Sequence, residues 1–223
     1  MDFALLDTQA VGFLLRWIHL LAGVVWIGLL YYFNFCQVDY FKEADAAAKS
    51  DAIRKLVPRA LWWFRWGAMF TFLSGIGLLG VYHLVGYGIW VGAILGTLMF
   101  LNVWLIIWPN QKTVIENARR LAAGEEGLPG AADALARAGL ASRTNTLFSI
   151  PMLFFMASSR HLLGINIPLA EASIVSLVLV FGLIAVLEIN AIAGKQGPMT
   201  TVKGVITSGL LLTLVLYLLI EIA

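Results

Sequence analysis

Residues 11–35 read VGFLLRWIHLLAGVVWIGLLYYFNF. A helix needs about 20 mostly apolar residues to cross a hydrocarbon core about 30 Å thick. This stretch supplies them with one formal charge, Arg16. Five further stretches read the same way, at about 60–84, 87–108, 145–163, 169–193 and 201–222. The expectation is an all-α protein: a single integral membrane domain over 1–223, built as a polytopic bundle of six transmembrane helices, with the lipid bilayer as its solvent.

Composition points the same way. The chain is 61% hydrophobic and 13% charged, whereas soluble domains run near 45–50% apolar and about 25% charged. A net charge of +2 is too small to argue for nucleic acid. The single cysteine, Cys36, cannot form an internal disulfide, a thiolate cluster or a CxxCH haem attachment, so it reads as a small hydrophobe. The first ten residues carry Asp2 and Asp7 and no Lys or Arg, which is not the start expected of a cleaved signal peptide.

Lys and Arg gather in alternate connections. Residues 36–59 hold Lys42, Lys49, Arg54, Lys55 and Arg59; residues 109–144 hold Lys112, Arg119, Arg120, Arg137 and Arg143; Lys195 lies within 194–200 and Lys203 just after it. The other two connections hold none, apart from Arg160 at the edge of one. By the positive-inside rule the basic connections are cytoplasmic, both termini are outside, and the localisation is a bacterial inner membrane. Gln37–Leu56, Lys112–Ala123 and Ala131–Ala141 read as polar helices on the membrane surface or against a partner, or as solvated connectors. Pro58, Pro109 and Pro168 fall near predicted helix ends, and Pro151 should kink the fourth span or shift its start. Gly92 and Gly96 give a GxxxG in the third span, a close helix contact. Arg65, Asn102 and Glu188 are polar groups within or near the spans; Arg65 and Asn102 need partners, and Glu188 reads as a solvated carboxylate.

On this topology His19, His83 and His161 all fall towards the outer side. In the first span Arg16, His19, Gly23 and Trp26 share one helical stripe. An imidazole, a gap left by glycine and a cation one turn away are what a b-type haem needs for iron, porphyrin and propionates. His19 is the candidate iron ligand, His83 or His161 the second, and Arg16 and Arg160 the propionate partners. A metal site using His19 and His161 is weaker, because no short ligand spacing is present. A histidine hydrogen-bonded to a neighbouring helix is the plain alternative.

Arg16-Trp17-Ile18-His19 with Gly23, Trp26, Ile27 and Gly28 resembles the first helix of the membrane domain of cytochrome c-linked urate oxidases. The likeness continues at Trp63-Phe64-Arg65-Trp66 with Leu73-Ser74-Gly75, at Gly96-Thr97-Leu98-Met99 through Asn102-Val103, and at Pro109-Asn110-Gln111-Lys112. It returns at Ser142, Asn145, Pro151-Met152-Leu153-Phe154, Met156 and Ser158. The family domain looks longer by two helices between the second and third spans, and it carries a cytochrome c domain not found in this sequence. Histidines frequent in that family near 142–145 and just before 161 are Arg143, Thr144 and Arg160 here. The resemblance implies a shortened relative. It would be a redox protein, possessing urate hydroxylase-like activity or transferring electrons between urate or a quinol and a separate cytochrome c or respiratory partner. The other reading is a non-catalytic accessory or scaffold subunit of a larger respiratory or photosynthetic complex. A transporter is disfavoured by the lack of visible repeats or paired broken helices.

Overall fold

A computed structural model describes residues 7–158 and 161–221. It is a bundle of six long helices: α1 Thr8–Glu43, α2 Ala46–Tyr82, α3 Tyr87–Ala122, α4 Ala131–Ser158, α5 Ile174–Ala193 and α6 Val202–Glu221. Three short 3-10 turns, Leu163–Asn166, Leu169–Glu171 and Gly197–Thr200, lie in the connections. Among the described residues the only β pairing is an isolated bridge between Gly86 and Pro168. That bridge ties the α2–α3 turn to the α4–α5 connection, with Tyr87 N–H donating to the Ile167 carbonyl at 2.8 Å.

Among the described residues five helices, α1, α2, α3, α5 and α6, are long and apolar enough to cross a membrane. The expected fourth span at 145–163 falls on α4, which does not meet that composition. The reason is packing. α4 touches α1, α3, α5 and α6, so Arg143, Thr144, Asn145, Thr146 and Ser149 are buried in protein. A helix shielded from lipid does not need an apolar surface.

The segments expected as separate surface helices are instead the ends of the long helices. α1, at 36 residues, is about 54 Å long, well beyond a ~30 Å core. α1 and α2 meet at a corner at Ala44–Asp45, where the Asp45 side chain caps α2 by accepting from Ala48 N–H at 2.8 Å. α3 runs on to Ala122 and packs against α4 along this extension. Gly124 and Gly130, both with positive φ, close the turn between them. Pro58, Pro109 and Pro151 therefore all lie inside helices. Pro109 follows a π-helical segment, Asn102–Ile107, a local widening of the kind that re-registers a helix around a missing donor. Asn110 Nδ2 donates back to Ile106 O, 2.7 Å away.

The bundle is organised as two close pairs. α1 lies on α2, with Gly67 against the backbone of Ala22 and Trp26 and Gly77 against Leu15. α3 lies on α4 at Gly92, where an added Cβ would sit 3.2 Å from Met156 N. The GxxxG expectation thus holds at Gly92, while Gly96 has only ordinary contacts. Gly92→Leu should push α3 from α4 and cost about 1–3 kcal/mol, seen as a lower melting midpoint in detergent. Gly80, with nothing within 4 Å, should accept alanine without loss. Equal midpoints for both variants would contradict this packing.

Candidate functional site

Between the two pairs lies a cavity of about 1090 Å³. Phe72 stacked on Phe100 at 4.2 Å and Trp66 against Trp104 at 5.8 Å join the pairs. The cavity runs along α1 from Arg16 to Gly28, about 18 Å of helix. Its lining is mostly apolar. Leu20, Val24, Ile76 and Leu153 line it and are also exposed, Val24 at 74%, so its mouth opens on the bundle's apolar outer surface.

All four stripe residues of α1, Arg16, His19, Gly23 and Trp26, line this cavity. His19 Nδ1 lies 2.9 Å from the Thr71 carbonyl and 3.2 Å from Ser74 Oγ. A carbonyl can only accept, so Nδ1 carries a proton, and in the neutral ring Nε2 then keeps its lone pair. This backbone anchoring of one ring nitrogen is how proteins orient a metal-ligating histidine. Gly75 gives the ring its place, since a Cβ there would lie 3.2 Å from His19 Cε1. At Gly23 an added Cβ would meet only Thr71, at 3.9 Å; its smallness keeps the cavity open and is not required by helix packing.

Arg16 stacks its guanidinium 5.0 Å from the Tyr82 ring centroid, placing a cation at the cavity end nearest the start of α1. At the other end Trp26 is only 2% exposed, and its indole Nε1 has no hydrogen-bond partner among the described residues. Unpaired buried donors are uncommon; Trp104 Nε1 and Arg143 Nη1 are others among the described residues, and of the three only Trp26 lines the cavity.

The other expected site residues are elsewhere. His83 is exposed at the end of α2, in a left-handed conformation with φ 46°, where its N–H donates to Leu79 O and closes the helix. His161 is exposed just beyond α4, its N–H donating to Ser158 O at 2.9 Å. Neither lines the cavity. Arg160 lies outside the described residues. Among the described residues no three His, Cys, Asp or Glu side chains come together to hold a metal ion. The opposite wall supplies residues that the α1 stripe alone could not identify: Thr97 and Gly96 from α3, Met152 and Met156 from α4. On α2, Thr71, Gly75, Leu78 and Tyr82 form a stripe facing that of α1, and this spacing was readable in the sequence once α1 and α2 were paired.

A second polar layer lies towards the basic end. Asn102 Nδ2 donates to Asn145 Oδ1 at 3.0 Å and to Glu188 Oε2 at 3.1 Å, and Asn145 Nδ2 donates to Met99 O at 2.9 Å. Asn34, in the π-helical segment Tyr32–Gln37 of α1, donates to Ser142 Oγ at 2.8 Å. Asn102 is thus an interhelical link as expected. Glu188, expected as a solvated carboxylate, is instead half-buried and bonded. Arg65 finds its partner in the Trp108 ring, 3.8 Å from the centroid.

No curated protein and no solved structure matches this chain. Residues 86–218 match the family described as Urate oxidase N-terminal. The match covers α3 to α6 except for its last residues, and so takes in the cavity wall of Gly96, Thr97, Met152 and Met156. The His19 wall on α1 and α2 lies before it. With more than half of its length matched, the chain belongs to the urate oxidase N-terminal family.

Proposed function

We propose that this protein is a membrane-embedded redox domain that holds a b-type haem in the cavity between its two helix pairs. The observation that carries the reading is His19: an imidazole tethered through Nδ1 to a backbone carbonyl, with no partner on its other nitrogen among the described residues, in a large apolar cavity. The residues present suit such a group. The volume exceeds the ~300–1,000 Å³ usual for small-molecule sites, Gly23 and Gly96 leave room for a flat ring, and Arg16 offers a cation to carboxylates at one end. A bound haem supplies a one-electron couple whose potential the ligand and the apolar walls tune. The chain's own part is to fix the imidazole, exclude water and bind the acidic edge. Electrons would come from urate or a quinol and leave to a separate cytochrome c or respiratory partner.

In this reading α4 is the sixth transmembrane helix. It lies beside α3 from Gly92–Met156 to Asn102–Asn145, about 15 Å of shared length, so the two helices cross together. The termini are outside and the basic ends lie in the cytoplasm of a bacterial inner membrane.

Two observations favour a second reading. The cavity mouth is bordered by lipid-type surface, and Trp26 offers an unpaired indole N–H. A quinone entering sideways from the bilayer would suit both: as the quinone its carbonyl would accept from Trp26 Nε1–H, and as the quinol its other hydroxyl would donate to His19 Nε2.

A reduced-minus-oxidised visible spectrum of the purified protein should show a haem b α-band at about one haem per chain. His19→Ala should remove it, whereas His83→Ala and His161→Ala should leave it. Gly23→Leu should also remove it while the melting midpoint stays near wild type. A flat wild-type spectrum with an extractable quinone would favour the second reading; a flat spectrum with neither would defeat both. Alkaline phosphatase fused at Gly127 should be inactive and at Gly86 active; the reverse pattern would invert the topology.

A further inference from the structure

Where α2 and α3 leave the apolar zone, two cations surround one tryptophan. The Arg65 Cζ lies 3.8 Å and the Lys112 Nζ 5.7 Å from the Trp108 ring centroid. Among the described residues neither cation has an ion pair or a hydrogen bond. Like charges sharing one ring repel, and a cation–π contact only partly compensates.

Beside Trp108 lies a groove of about 370 Å³ between the two helices, lined by Pro58, Trp108, Lys112, Ile115, Glu116 and Arg119, with Arg65 at its edge across the Trp108 ring. Its floor is apolar at buried Ile115. Its one carboxylate, Glu116, faces Arg119 at 3.7 Å and Arg120 at 3.9 Å, both long, exposed pairs that contribute little. The site therefore keeps an excess of positive charge. Above it, Leu105 is 68% exposed three residues before Trp108, and Trp62 and Trp63 are exposed on α2. This is an apolar strip running away from a cationic groove, with tryptophans at the join, as at a membrane interface.

We infer that the groove between α2 and α3 binds the phosphate headgroup of an anionic phospholipid from the leaflet at the basic end of the bundle. Arg65 and Lys112 hold the phosphate, Arg119 the outer edge, and an acyl chain lies along Leu105. Basic pockets between helices on this side of a membrane are where acidic lipids lodge. The inference rests on the membrane-crossing reading and not on any cofactor in the cavity.

The test is native mass spectrometry of the purified full chain with palmitoyl-oleoyl-phosphatidylglycerol or the phosphatidylcholine of the same chains. One phosphatidylglycerol should be retained in preference to phosphatidylcholine, and millimolar inorganic phosphate should not displace it. Lys112→Gln, at an exposed position, should weaken retention about fivefold, and Arg65→Gln/Lys112→Gln further, with melting midpoints in phosphatidylcholine micelles unchanged for Lys112→Gln. Glu116→Gln should strengthen it. Equal retention of the two lipids, undiminished retention by Lys112→Gln, or displacement by inorganic phosphate would overturn the assignment. A phosphatase pattern showing no membrane crossing would instead defeat the reading beneath it.

Discussion

The structure depends on burying the polar middle of α4 among the other helices. Backbone and side-chain polar groups at membrane depth need partners inside the protein. Asn145 and Ser149 are fully buried, and each is answered from a neighbouring helix: Asn145 by Asn102 and the Met99 carbonyl, Ser149 by the Tyr31 hydroxyl at 3.0 Å. Interhelical hydrogen bonds of this kind average only about 0.6 kcal/mol each in membrane proteins, so they specify register more than they supply stability. Close contact does the latter, at Gly92 against Met156 and Gly209 against Ile150.

The cavity follows from the same arrangement. Glycines bring α1 onto α2 and α3 onto α4, while bulky aromatic contacts join one pair to the other. Phe72, Phe100, Trp66 and Trp104 hold the pairs apart as much as together. Beyond them, towards Arg16 and Tyr82, the space between the pairs stays open as the cavity. His19 stands on one wall and the methionines of α4 on the other. The belonging of α3 to α6 to the urate oxidase N-terminal family thus concerns one wall, and the histidine belongs to the other.

Much of the fold was legible in the residues. The starts and ends near 82, 87, 193 and 202 follow from apolar run length and from Gly86 and Gly88. The stripe of Arg16, His19, Gly23 and Trp26 was correctly read as one face, because helical periodicity alone places those residues together. What lay opposite could not be read that way. His83 and His161 are expected from the order of spans at the same end as His19, yet neither lines the cavity.

Sequence alone determined the helical class, the long apolar stretches and the face that His19 shares, since each depends on neighbours along one chain. Tertiary structure decided which groups meet across helices. It allowed α4 to be polar by enclosing it, turned the long basic connections into extensions of the helices, and oriented His19 through the carbonyl of Thr71. Those outcomes depend on burial and backbone position between distant segments, which no single helix encodes.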